Sequence, residues 1–143
     1  MRVAFDTNVL LDAIMARPDS DAATRLLQAV AEERIEGVIT ANTITDIYYV
    51  SRKKIGDKKA REAIFELLSI FDVAAVDGSV CVEALSLPMA DYEDAVMASC
   101  VDRDGAGYII TRDDKFVKAG MNNGCSADVM YPADVLDLLE HGE

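Results

Sequence analysis

Short unbroken apolar runs alternate along the chain with longer stretches in which apolar residues return every three or four positions. The runs at residues 2–5, 37–40, 73–76 and 108–111 read as strands, and Val129-Met130-Tyr131 as a short edge strand. Residues 20–35 carry Ala23, Leu26, Leu27, Val30 and Ala31 on one face, the spacing of an amphipathic helix. Residues 43–54 are helical, and 58–70 again, with Ile64, Leu67, Leu68 and Phe71 as a core stripe. Residues 80–85, 91–103 and 133–139 complete the set of helices. Pro18-Asp19-Ser20, Gly56-Asp57 and Asp104-Gly105-Ala106-Gly107 are short breaks rather than domain linkers, and no repeat or low-complexity tract is visible. Strands that are apolar throughout, alternating with helices, predict an α/β fold whose mainly parallel sheet is covered on both faces. Sites in such sheets gather beyond the carboxyl ends of the strands, at a switch in strand order.

Composition narrows this picture. A chain of 143 residues that is 51% hydrophobic suits one domain over 1–143, with a core needing no disulfide or structural metal. The apolar runs are too short to span a bilayer, and the chain opens in a strand pattern without the features of a signal peptide. Cys81, Cys100 and Cys125 are odd in number and lack close pairing, which predicts packing thiols in a reduced, cytoplasmic setting. The formal net charge of −12 argues against broad, nonspecific nucleic-acid binding and suits a basic protein partner. Positive charge is nevertheless clustered, in Arg52, Lys53, Lys54, Lys58, Lys59 and Arg61, and in Arg112, Lys115 and Lys118. Either these groups hold phosphates, or the first is a solvated helix end and linker.

Four aspartates interrupt or end apolar segments. Asp6 directly follows the first strand in Val3-Ala4-Phe5-Asp6-Thr7-Asn8. Helix capping alone explains it poorly, because three polar residues compete for one cap. Asn8 is placed to orient Asp6 or a water beside it. Asp94 lies in Asp91-Tyr92-Glu93-Asp94-Ala95, on the line of Ala98 and Val101; Asp91 can cap this helix while Asp94 points to a site. Asp113 follows the fourth strand in Ile110-Thr111-Arg112-Asp113-Asp114. Spacing alone leaves Asp113 and Asp114 open as the inward carboxylate, Asp113 being nearer the strand end. Thr111 can hydrogen-bond the site from that strand end. Asp46, in Thr43-Ile44-Thr45-Asp46, reads as part of a capping box or as a further acid on a packed helix side.

Several buried carboxylates together are costly unless a cation compensates. Oxygen ligands around an open coordination sphere suit Mg²⁺ or Mn²⁺. No His/Cys cluster for zinc is present, and His141, the single histidine, falls in the C-terminal tail as a solvated residue. These residues predict a small metal-dependent nuclease.

Taken in order, the pieces Asp6-Thr7-Asn8, Thr40-Ala41-Asn42-Thr43-Ile44-Thr45-Asp46, Asp91-Tyr92-Glu93-Asp94-Ala95 and Ile109-Ile110-Thr111-Arg112-Asp113 resemble the PIN-domain ribonucleases. The resemblance covers essentially the whole chain and extends to the VapC-like toxins of prokaryotic toxin–antitoxin pairs. It implies a Rossmann-like three-layer α/β/α sandwich and an acidic pocket for one or two Mg²⁺ or Mn²⁺. It also implies endonucleolytic RNA cleavage, homodimers and, in the toxin branch, a cognate antitoxin. Asp6, Asp46, Asp94 and Asp113 would form the acidic quartet, supported by Asn8 and Thr111, with Asp91 and Asp114 nearby. Arg52, Lys53, Lys54 and Arg112 would hold flanking phosphates. The family usually has glutamate where this chain has Asp46, so a shorter side chain must reach the metal there, through water if at all.

The expected reaction is in-line attack of an activated water on a phosphodiester, with a carboxylate accepting the proton. A haloacid-dehalogenase-like phosphotransfer enzyme would need an aspartate at position 8, which is Asn. A receiver domain would need paired acids after the first strand. A catalytically weak binding module, acting through a dimer or partner surface, is the rival from another class, kept open by Asp46.

Overall fold

The computed structural model describes residues 1–122 and 125–142. The chain runs β1 (Arg2–Phe5), α1 (Thr7–Ile14), α2 (Asp21–Ala31), β2 (Glu36–Thr40), α3 (Ala41–Ile70), β3 (Phe71–Ala74), α4 (Gly78–Ala84), α5 (Tyr92–Asp104), β4 (Tyr108–Ile110), α6 (Asp114–Asn122), β5 (Asp128–Met130) and α7 (Pro132–His141). The five strands form one sheet in the order β3-β2-β1-β4-β5, and every pairing is parallel. β1 is central: Val3 stands beside Gly37 of β2 and Tyr108 of β4.

Pleating sends alternate side chains to opposite faces. Val3 and Phe5 join Ile39, Phe71 and Ile110 in one core, closed by Val9 and Leu10 of α1, Leu26 and Val30 of α2, Leu67 of α3 and Val135 of α7. Ala4 joins Val38, Ile109 and Val129 in a second core, under Val80 of α4, Val96 and Val101 of α5, and Phe116 of α6. The result is a three-layer α/β/α sandwich, which is why the strands read as continuous apolar runs. Among the described residues no helix is long and apolar enough to cross a membrane.

Residues 7–14 and 114–122 form helices that the apolar periodicity did not reveal, since each is short and begins with polar residues. The two helices expected at 43–54 and 58–70 are one element kinked at Gly56, whose positive φ of 86° breaks the helical path. β3 starts two residues earlier than expected, at Phe71, so Phe71 reaches the core from a strand. Its ring meets Phe5 edge-on, with centroids 4.9 Å apart. Gly37 makes room for this pair: a Cβ there would lie 2.5 Å from the Phe71 ring. Leu68 and Ala31, expected on core faces, are exposed. At the amino edge of the sheet, Arg2 of β1 grips Asp104 with two hydrogen bonds of 2.8 Å and Asp72 with one of 2.7 Å, joining β1 to α5 and β3.

Candidate acidic site at the carboxyl edge of the sheet

From β1 the chain runs outward to β2 and β3 on one side and then returns to β4 and β5 on the other, so the strand order switches between β1 and β4 and leaves a crevice beyond their carboxyl ends. Phe5 is in register with Ile110, and the Asp6 amide bonds the Ile110 carbonyl at 3.0 Å. Asp6 is thus the first residue beyond the sheet. Its carboxylate caps α1, accepting from the Thr7 amide at 2.8 Å, and its other oxygen accepts from the Thr111 hydroxyl at 2.7 Å. One oxygen of Asp6 therefore caps α1 while the other is held by Thr111.

Thr111 is fully buried, and its hydroxyl also accepts from the Asp113 amide at 3.1 Å. One threonine therefore holds both Asp6 and the turn that carries Asp113. The Asp113 carboxylate accepts from the Lys115 amide at 2.9 Å, which fixes the turn into α6. Asp113 is half-buried. Asp114 is exposed and accepts from the Tyr131 hydroxyl at 2.7 Å, which directs it to β5 and α7 rather than to Asp6. Across the crevice Asp91 caps α5, accepting from the Asp94 amide at 3.1 Å, and Asp94 stands half-buried in the first turn.

These carboxylates act on one another. Burial pushes the Asp94 carboxyl up to about 7, with further upward pressure from Asp91, Asp6, Asp113 and Glu93. Burial also raises Asp6, and the charges of Asp113 and Asp91 add to it, against the lowering effect of the Thr111 and Thr7 hydrogen bonds. Asp6, Asp94, Asp113 and Asp91 form one electrostatic group.

The remaining expected residues lie around this group. Asp46 is exposed on the second turn of α3, not on a packed side, and it is not among the main charges acting on Asp6 or Asp94. Thr43 does not cap α3, which begins at Ala41; it is buried, with its hydroxyl 3.0 Å from Thr40 and 3.2 Å from Thr7. That threonine relay fastens the start of α3 to the residue beside Asp6. Asn8 is exposed on α1. Arg52, Lys53 and Lys54 are exposed along α3. Arg112 meets Asp12 in an ion pair while keeping half its side chain exposed.

Asp12 is the residue that sequence reasoning missed. It is 3% exposed in α1, and its carboxylate pairs with Arg112 and, at 3.3 Å, with Arg17. The available signal was an acid directly after Val9-Leu10-Leu11 with no basic residue at helical spacing before Arg17.

The donor set around Asp6, Asp94 and Asp113 is made of carboxylate oxygens, with no nitrogen or sulfur, and fits a hard divalent cation. Among the described residues, no three acidic, histidine or cysteine side chains are close enough together to grip one ion directly.

Residues 2–115 match the PIN domain, and the chain belongs to that family. Its fold is similar to that of VapBC2 from Rickettsia felis, solved with a DNA fragment from their promoter, at a TM-score of 0.67 and 16% identity over 90% of this chain and 97% of that one. It is also similar to VapC20 from Mycobacterium tuberculosis, described as a sarcin-ricin loop cleaving toxin, at a TM-score of 0.67 and 16% identity over 82% of this chain and 95% of that one. DNA-bound VapBC from Salmonella typhimurium matches at a TM-score of 0.66 and 13% identity, over 92% of this chain and 98% of that one. A search by sequence finds no match among curated proteins.

Proposed function

We propose that this chain, as one PIN unit, is a metal-dependent endoribonuclease and the toxin of a type II toxin–antitoxin pair. The observation that carries the reading is the group of Asp6, Asp94 and Asp113 at the strand-order switch, where burial and the neighbouring charges push the Asp6 and Asp94 carboxyls up. Family membership and the toxin-like fold support it, and two of the structural neighbours are toxin–antitoxin complexes on DNA. A cytoplasmic setting and a homodimer accompany this reading.

Asp6, Asp94 and Asp113 would hold one or two Mg²⁺ or Mn²⁺ ions, with Asp46 reaching them only through water. When bound, the cation supplies positive charge against the developing charge on the phosphate and lowers the pKa of water nearby. The protein's own contribution is positioning and proton handling. Thr111 fixes Asp6 and the Asp113 turn in one arrangement. A carboxylate of this group would accept the proton of the attacking water. Asp91 shapes the helix end that presents Asp94, and Asn8 and Asp114 flank the crevice. Arg112 and the Arg52, Lys53 and Lys54 group would hold phosphates on either side of the cut.

The test is RNA cleavage in Mn²⁺ by wild type, Asp6→Asn and Asp94→Asn, each with a circular-dichroism check of folding. Loss of cleavage in both folded variants is expected, and full activity in both would overturn the assignment. One observation favours a second reading. Asp46 is exposed where the family usually has glutamate, as expected of a catalytically weak module that works through a dimer or partner surface. Calorimetric titration with Mn²⁺, followed by cleavage with and without EDTA, separates the two.

A further inference from the structure

Beyond the acidic crevice, α3 carries an aromatic and basic cluster that neither hydrophobic core uses. Tyr48 and Tyr49 stand edge to face, with ring centroids 5.3 Å apart. The Arg52 guanidinium lies over both rings, 5.5 Å from the Tyr48 centroid and 5.1 Å from that of Tyr49. Tyr48 is fixed from its far side as well. Its hydroxyl donates to Asp57, and Arg61 lies over its ring at 5.4 Å. Arg61 in turn donates to both oxygens of Asp57, at 3.1 and 3.2 Å. This network ties the two arms of α3 together across the Gly56 kink. Tyr48 is a half-buried pillar, whereas Tyr49 is 55% exposed and presents its ring to solvent.

The charge around Tyr49 runs against that of the molecule. Six of the 14 Lys and Arg residues fall within positions 52–61, with Asp57 the single acid there, in a chain of net charge −12. A rigid aromatic face beside a guanidinium, with ammonium groups alongside, matches a flat base with phosphates on either side. The platform lies on the helix that begins beside the crevice. Thr43, near the start of α3, bonds Thr7 beside Asp6 at 3.2 Å. Tyr49 is six residues further on, about 9 Å of helix rise, and Lys53 about 15 Å. A nucleotide or two spans that interval.

We infer that Tyr49, backed by Arg52, is a stacking platform for an unpaired base of single-stranded RNA, with Lys53 and Lys54 at the neighbouring phosphates. The inference deepens the nuclease reading and rests on it for the identity of the strand. It makes Tyr49 a determinant of single-strand preference, since a paired base has no free face to offer.

The test measures binding of a short fluorescent single-stranded RNA in EDTA, where metal-dependent cleavage does not intervene. Tyr49→Ala is expected to weaken binding roughly ten-fold, and Tyr49→Trp to retain it. An abasic site scanned along the RNA is expected to cost a similar factor at one position with wild type and nothing there with Tyr49→Ala. A purely structural role for Tyr49 would lower affinity while leaving the abasic profile the same in wild type and variant. Equal affinity of Tyr49→Ala and wild type, or an abasic penalty that persists in the variant, would overturn the platform. So would RNA affinity unchanged by Tyr49→Ala alongside an altered oligomeric state, which would assign the ring to a protein contact. Cleavage in Mn²⁺ reads the underlying function separately: Tyr49→Ala should raise KM and leave kcat unchanged. Wild type that binds with the Tyr49 signature yet cleaves nothing would sink the nuclease reading and leave the platform standing.

Discussion

At the scale of single residues, the site is defined by one acid held partly out of water. The Asp94 carboxyl is raised from 3.8 to about 7, first by burial and then by its acidic neighbours. The folded state therefore binds that proton more tightly than the unfolded chain does. The stabilisation is fully present below the unfolded value and is lost as pH rises through about 7. Asp94→Asn, uncharged at every pH, removes this loss. In metal-free buffer the variant should melt higher than wild type at pH 8, with the gap closing toward pH 5. A lower melting temperature for the variant at pH 8 would indicate a structural hydrogen-bond role instead. This residue was legible because an acid on the line of Ala98 and Val101 contradicts a packed helix face. Asp46 was less legible: its neighbours Ile47 and Tyr48 suggested burial, but the helix turns Asp46 itself to solvent.

At the scale of elements, α1 and the turn after β4 are joined by the buried Asp12 carboxylate with Arg112 and Arg17. The two partners are unequal. The arginine side chains are 51% and 32% exposed, whereas that of Asp12 is 4% exposed. Removing the acid lets both guanidiniums return to water, so Asp12→Ala should cost only about 2 kcal/mol, below the usual range for a broken buried pair. Removing both arginines strands a buried charge, and Arg17→Ala/Arg112→Ala should cost more. Urea denaturation of the two variants checks the order; the reverse order would mean that the carboxylate is readily hydrated. The strands and the longer helices were readable from periodicity because each buries a continuous stripe. α1 and α6 were not, since α1 owes its start to the Asp6 cap and α6 to the Asp113 turn, both of which depend on contacts made across the sheet.

At the scale of the whole molecule, charge is separated. The acids dominate the total of −12, while the kinked α3 gathers basic residues between positions 52 and 61. Self-repulsion of an acidic body opposes compactness, and dissolved salt screens it. The melting temperature should rise as NaCl is increased from about 20 mM to about 300 mM, within the range where the screening length contracts most. A fall in calorimetry would mean that ion pairs such as Arg2–Asp104 and Arg112–Asp12 outweigh the general repulsion. The parallel order and the crevice at the switch followed from strands alternating with helices; which strands are neighbours did not, because pairing across a hundred residues leaves no local mark.

That pairing has a consequence for how the protein comes into being. β1 is made before both of its neighbours, yet the partner that completes its site edge ends at Ile110, and Thr111 must follow before Asp6 receives its hydroxyl. A nascent chain halted before that point holds Asp6 without the Thr111 hydroxyl and without Asp113. The acidic crevice is therefore completed late in synthesis, once residues 111–113 have joined Asp6.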